Sequence, residues 1–316
     1  MKKSNLLILI ASAMFLLSFQ YLLIQNYLDF VCNGNPYILP KQAGNIPMIF
    51  CPKIISTKDH QEYGIHFSED GKELYFTRKS KEHPVILYSE HTFYGWTQPR
   101  VLEFMEDFPG TMPCTSYGGT SLIYLQTPHE TDPLSNEIVI AEKEWWGWET
   151  PQILTDTDMG KYKNSFSLAR NGNLYLCGDP DDSGQMDIYI SEYRNGQYMP
   201  PRNLGPDINT EYEEGHVFIA PDESYILFDS DRPSSLGGKD LYISYRNTNG
   251  TWTQARNLGG SINTKDADWM PYISPDGKYL FFSRSKGNNV DIYWVSADVI
   301  DNFKGLRATR LNLPNG

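Results

Sequence analysis

One unit recurs five times along the chain, and each copy opens with a tight turn that feeds an apolar strand. The turn-and-strand segments are residues 70–76, 118–124, 171–176, 222–228 and 276–282. A second strand follows in each copy, at residues 86–89, 137–140, 187–191, 240–244 and 291–296. A third block closes four copies, at residues 95–102, 147–154, 196–204 and 250–258. The period is ~51 residues, and a repeat of that size built from strands alone marks the blades of a propeller.

The fifth copy shows how one blade is made. Asp276-Gly277 supplies the positive φ angles of a tight hairpin. The following Tyr279-Leu280-Phe281-Phe282 does not alternate polar with apolar. A strand that must be apolar on both sides sits between packed layers, as strands do when blades stack face to face. The closing block of each copy predicts a fourth, outer strand. The fifth copy lacks one, whereas residues 52–57, ahead of the first copy, match it. An N-terminal strand at 52–57 that completes the last blade would close the ring without a covalent bond.

The expected fold is therefore all-β: a propeller of five four-stranded blades with an N-terminal hydrophobic helix. Six blades is the alternative, if residues 33–50 and the C-terminal tail form a degenerate blade. The expected domains are 1–28, a signal-anchor or signal peptide; 29–51, a linker; 52–304, the propeller; and 305–316, a tail.

The residues Ser274-Pro275-Asp276-Gly277-Lys278, then Leu280-Phe281-Phe282 and Asp291-Ile292-Tyr293, resemble the TolB-type, WD40-like β-propeller repeat of bacterial envelope proteins. Ser230-Asp231-Arg232-Pro233 with Lys239-Asp240-Leu241-Tyr242 is similar, as is Ser68-Glu69-Asp70-Gly71-Lys72, where Glu69 replaces the usual proline. The resemblance spans about residues 50–304. It implies a binding platform, an envelope scaffold or a gating domain, and it does not choose among them.

Net charge is −12. Phosphate binding needs clustered lysine and arginine, so nucleic acid is excluded as a partner. Lys2 and Lys3 precede an apolar run over residues 6–23. That pattern reads as a secretion or membrane-insertion signal, with the remainder extracytoplasmic: inner-membrane anchored, periplasmic or secreted. Of the four cysteines, Cys32 and Cys51 precede the first blade, where a disulfide could form, and Cys114 and Cys177 fall on predicted strands as small buried hydrophobes.

Propellers bind ligands at a mouth of the central channel. In the loops entering the innermost strands, Glu62, Glu214 and Asp268 occupy equivalent points of their copies, with His216 beside them and His66 and Tyr272 a few residues deeper. Ring symmetry predicts that they converge. Such a set could hold a ligand or a divalent cation, or it could brace the loops by accepting backbone N–H bonds. Asp179, Asp181, Ser183 and Asp187 have the alternate spacing of a calcium loop, but Ile190 stands where an EF-hand requires glutamate. No nucleophile elbow, zinc-protease motif or phosphate loop is present, and no catalytic residue is assigned. The expected function is a non-catalytic binding or scaffold module for a protein, peptide or glycan at the loop face, tied to the membrane through the N-terminal segment. The alternative is a glycan-processing enzyme that uses carboxylates at the channel mouth.

Overall fold

The computed structural model describes residues 44–304 apart from 81–82, 94, 128–136, 155–160 and 163. Five antiparallel blades follow one another along the chain. The inner strands, in blades 1 to 5, are Gln61–Phe67, Gly110–Thr115, Ser165–Leu168, Phe218–Ile219 and Ala267–Ile273. The second strands are Glu73–Lys79, Ser121–Gln126, Leu174–Gly178, Tyr225–Ser230 and Tyr279–Lys286. The third are Val85–Thr92, Glu137–Glu144, Asp187–Ser191, Asp240–Tyr245 and Asn289–Ser296. Helical elements include a 3-10 turn, Glu103–Met105, and a short α-helix, Asp298–Lys304. No helix among the described residues is long and apolar enough to cross a membrane. Residues 1–28, Cys32 and the 305–316 tail lie outside the described residues.

The second strands are buried on both faces. Leu74, Tyr75 and Phe76 are inaccessible to solvent, as are Leu280, Phe281 and Phe282. Their unbroken apolar runs follow from this, since each blade is covered by a neighbour on either side. The closing-block aromatics belong to that packing: Trp148 of blade 2 lies on Tyr75 of blade 1, and Trp252 of blade 4 on Tyr175 of blade 3.

The outer strands are only two residues long: Arg100–Val101, Gln152–Ile153, Arg202–Asn203 and Arg256–Asn257 in blades 1 to 4. Blade 5 is completed by Met48–Ile49, which pairs antiparallel with Trp294 and Tyr293. The ring therefore closes by an N-terminal latch, but the expected strand at 52–57 is displaced. Residues 51–56 form a turn in which Ile54 and Ile55 N–H groups donate to the Cys51 carbonyl. The turn still touches blade 5, where Ser56 Oγ accepts from Ile292 N at 3.2 Å. Phe50 is the reason the latch starts earlier. It is fully buried against Phe281 and Trp294 of blade 5 and Phe67 of blade 1, so the chain must be extended before it and not after it.

Neighbouring blades are also stitched by hydrogen bonds. Blades 1, 2 and 5 carry β-bulges on their inner strands, and Gly64, Met112 and Met270 sit there at positive φ. A bulge frees one N–H from the ladder, and a buried N–H must find another acceptor. Met112 N donates to Thr77 Oγ1, Met270 N to Asp229 Oδ2 and Gly64 N to Ser283 Oγ. Each acceptor lies on the second strand of the preceding blade around the ring.

Candidate binding cavity at the turn face of the channel

The carboxylates expected at the channel mouth, Glu62, Glu214 and Asp268, are fully buried and do not converge on it. Each is enclosed within its own blade. Glu62 accepts from Thr57 N and Oγ1 and pairs with Arg78 at 2.9 Å. Glu214 accepts from Thr210 N and Oγ1 and pairs with Arg232 at 2.9 Å. Asp268 accepts from Thr264 N and Oγ1 and pairs with Arg284 at 2.5 Å. Arg232 and Arg284 reach on to the carbonyls of Ile208 and Ile262. The connection before blades 4 and 5 is one repeated device, Arg-Asn-Leu-Gly-x-x-Ile-Asn-Thr-x-x-x followed by an acid, beginning at Arg202 and Arg256. Its second asparagine, Asn209 or Asn263, hydrogen-bonds both backbone groups of Ile188 or Leu241. Burial pushes the Glu214 carboxyl up, against the lowering effect of Thr210 and Arg232.

His66, His216 and Tyr272 do line the channel. With Cys114, Ser167 and Phe218, they border a narrow waist of about 50 Å³ reached by all five blades. His216 is held off-centre by Asp229, 2.9 Å from its Nδ1. Asp229 is inaccessible, and burial raises its carboxyl. His216 and Lys239 outweigh that, so its pKa is lowered overall. Gly215 beside it must be glycine, because a Cβ there would lie 2.3 Å from Asp229 Oδ1.

The His66 ring lies against that of Tyr272, tilted by 47° with centroids 4.4 Å apart, and its Nδ1 lies 3.1 Å from the Phe67 carbonyl oxygen. Burial lowers its pKa to about 4. A histidine depressed in this way holds its proton less firmly folded than unfolded. Its stabilising contribution is complete above 6.5 and is lost as pH falls toward about 4. The urea midpoint should therefore fall between pH ~6.5 and ~5, above the main carboxylate range. His66→Gln should flatten that slope, and a chemical-denaturation series over this window checks it.

The waist adjoins a cavity of about 780 Å³, with which it shares His66, Cys114, Ser167, Phe218 and Tyr272. The larger space lies where the inner strands finish and turn, opposite to the end the loop alignment pointed to. All five blades supply it. His66, Phe218, Tyr225 and Tyr272 form an aromatic wall, and Glu69, Tyr117 and Arg170 stand at the turns of blades 1, 2 and 3. These last three meet one another. Arg170 Nη2 is 3.2 Å from Glu69 Oε1, its guanidinium lies 5.2 Å from the Tyr117 ring centroid, and Gly118 N donates to Glu69 Oε2 at 2.9 Å. A shallower recess of about 470 Å³ shares Glu69 with the cavity and runs between blades 1 and 2 toward Lys143.

Sequence reasoning overlooked this trio, although a signal was present. The residue after the turn serine or alanine is Pro221 in blade 4 and Pro275 in blade 5, but Glu69, Tyr117 and Arg170 in blades 1 to 3. Where a repeat departs from itself on three adjacent blades, blade packing no longer accounts for the residue type. The other carboxylates of the cavity serve their own turns: Asp222 accepts from Ser224 N and Oγ, and Asp276 from Lys278 N and Ser274 Oγ.

The calcium-like spacing is not drawn into a cage. Asp179 accepts from Ser183 N, Ser183 Oγ and Gly184 N of its own loop. Asp187 faces Asn203, and the neighbouring Asp182 pairs with Lys161. Among the described residues, no group of three or more His, Cys, Asp or Glu side chains is arranged to hold a metal ion. Cys114 and Cys177 are buried, and burial pushes both thiols up to about 12.

No protein-family model matches the chain, and no curated protein does. Solved structures do match. TolB from Acinetobacter baumannii superposes with a TM-score of 0.51 at 15% identity, over 78% of this chain and 54% of that one. The fold is that of a TolB-like β-propeller. The chain spans about half the length of that TolB structure. An endo-arabinase from Bacteroides thetaiotaomicron matches this TolB-like ring equally, with a TM-score of 0.51 at 15% identity over 81% of this chain and 96% of the arabinase. At such identities the likeness is one of fold, and function must be argued from the cavity.

Proposed function

We propose that this propeller is a non-catalytic, extracytoplasmic binding module that holds an extended partner, a protein segment, a peptide or a glycan, in the cavity at the turn face. The observation that carries this reading is the Glu69–Tyr117–Arg170 cluster, in which three side chains that break the repeat meet at the rim of a five-blade cavity. An aromatic wall with a few polar groups at its edge is the usual make-up of a binding pocket. The recess that shares Glu69 gives a chain-like partner a way out between blades 1 and 2.

The alternative is a glycan-processing enzyme. Glycoside hydrolysis needs two carboxyl groups about 5–9.5 Å apart facing the sugar, one of them able to give up a proton. Glu69, Asp222 and Asp276 are the carboxylates that the cavity offers, and each already serves an arginine or its own turn.

The test uses soluble arabinan, xylan and a displayed library of random dodecapeptides as probes. The parent chain should retain a member of this set, and Tyr117→Ala and Arg170→Ala should each weaken retention at least about tenfold, ~1.4 kcal/mol. The melting temperature of Arg170→Ala should stay close to the parent's, because Arg170 is largely exposed, whereas Tyr117→Ala also loses the bond from its hydroxyl to Leu168 O. Release of reducing sugar by the parent, abolished in Glu69→Gln, would replace the binding reading with the enzymatic one.

A further inference from the structure

The face that carries the cavity also carries exposed aromatic residues. The hairpin after each third strand returns at this face, as the backbone shows: His91 N donates to Lys72 O of the blade 1 turn, and Lys143 N to Thr120 O of the blade 2 turn. At the tips of these two hairpins, Phe93 is 83% exposed, Trp145 89% and Trp146 60%. The Trp145 and Trp146 rings meet edge to face at 5.1 Å. The hairpin base is fixed, since Trp148 packs on Tyr75 and Phe104. The equivalent tips in blades 3 and 4 are Arg194-Asn195 and Thr248-Asn249. The aromatics of blades 1 and 2 are therefore not dictated by the repeat.

The described chain begins on this same face. Gly44 O accepts from Ser296 N at the end of the blade 5 third strand, and Ala297 N donates to Lys278 O of the blade 5 turn. Close by, Ile46 is 77% exposed. Exposed apolar side chains thus follow an arc over blades 5, 1 and 2, and the apolar run of residues 6–23 joins the propeller at one end of that arc. The ~20 residues between that run and Gly44 can span at most ~70 Å whatever their conformation, which ties the propeller to whatever holds the run.

The cations of the face are paired: Lys72 with Asp70, Lys143 with Glu73, Arg170 with Glu69, Arg246 with Glu223 and Lys278 with Asp276. Exposed Glu144, Asp298 and Asp301 also stand on the same face, so the surface around the aromatic tips carries no net positive charge. Tryptophan and phenylalanine on a polar surface without net positive charge suit the headgroup level of a zwitterionic bilayer, where an amphipathic ring is apolar on one side and wet on the other.

We propose that the arc formed by Ile46, Phe93, Trp145 and Trp146 rests on the outer surface of the membrane that holds residues 6–23, so that the propeller lies with its cavity face toward the bilayer and tilted onto blades 1 and 2. This goes beyond partner binding in the cavity, and it rests on the reading of residues 6–23 as a membrane segment.

The test uses the full chain reconstituted in vesicles of phosphatidylcholine and phosphatidylethanolamine whose acyl chains are brominated just below the headgroups. All seven tryptophans lie outside residues 6–23, so quenching reports on the propeller alone. The expected result is partial quenching, near the share that two of seven tryptophans contribute, which disappears in W145F/W146F while both proteins still float with the vesicles. Replacing part of the lipid with phosphatidylglycerol should not strengthen the quenching, because the cations of the face are already paired. Flotation without quenching would overturn the contact and leave the membrane segment standing. A chain that does not float would overturn both, and quenching that requires anionic lipid would replace aromatic contact with electrostatic attraction. A tryptophan emission shift that follows protein concentration in place of lipid would assign the arc to a second copy of the chain. Cavity binding by Tyr117→Ala and Arg170→Ala is read separately, in solution.

Discussion

Deleting residues 44–57 should abolish the cooperative melt of the propeller. Phe50→Ala alone should lower the unfolding free energy by about 3–5 kcal/mol, the range for emptying a buried aromatic site. The Phe50 ring touches Phe67 of blade 1 at 6.2 Å and Phe281 and Trp294 of blade 5 at 5.1 and 5.8 Å, so it sits at the seam between the first and last blades. The latch strand beside it covers the edge of Asn289–Ser296. Without it, that edge presents unpaired backbone groups and the two end blades lose the side chains between them. The ring has no other covalent or strand-exchange closure among the described residues, so the loss spreads around it. Urea unfolding followed by tryptophan emission reads both variants. A deletion variant that unfolds at the parent's midpoint would show that the ring closes through blade faces alone.

Asp268→Ala should cost a comparable amount, about 3–5 kcal/mol, because it leaves the Arg284 guanidinium buried without its partner. Arg284 is 8% exposed, donates to Asp268 and to Ile262 O, and lies over the Phe282 and Tyr293 rings, so it has little room to reach water. Asp268 also orders the loop, since Thr264 N and Oγ1 donate to it. Removing both members of the pair, as in D268L/R284M, should recover part of the loss, since two apolar side chains strand no charge. Glu214→Ala should behave in the same way through Arg232. Thermal and urea midpoints of the single and double variants decide the matter. An unchanged midpoint in Asp268→Ala, together with altered binding in the cavity, would return the carboxylate to a ligand role.

These expectations invert the most specific site reading that the sequence allowed. Equivalence of position was legible: Glu62, Glu214 and Asp268 do occupy the same point of their blades. What alignment could not supply was side-chain direction. Inner-strand residues alternate between the two faces of their blade, and the bulge next to Gly64 and Met270 shifts that alternation locally. The arginine that claims each carboxylate lies 16 or 18 residues further on, across a hairpin, and the pair forms only when the two strands are in register. His66, His216 and Tyr272 border the waist because they lie further along the same segments.

The sequence by itself determined the all-β class, the five blades, the tight turns that open them and closure by an N-terminal segment. Each of these depends on local hydrophobic pattern and turn chemistry, which are written in consecutive residues and amplified by repetition. Only the tertiary structure decided which residues form the latch, which carboxylates are braces and at which end of the channel the cavity opens. The latch is fixed by Phe50 finding the seam between blades 5 and 1, a contact between residues more than 200 positions apart. The cavity is fixed by Glu69, Tyr117 and Arg170, which come from three successive blades, with Glu69 and Arg170 101 residues apart in the chain, and which meet because the ring brings the turns of blades 1 to 3 together. A repeat specifies what is common to its copies. A site here arises where copies differ, and their differences combine only after the ring has closed.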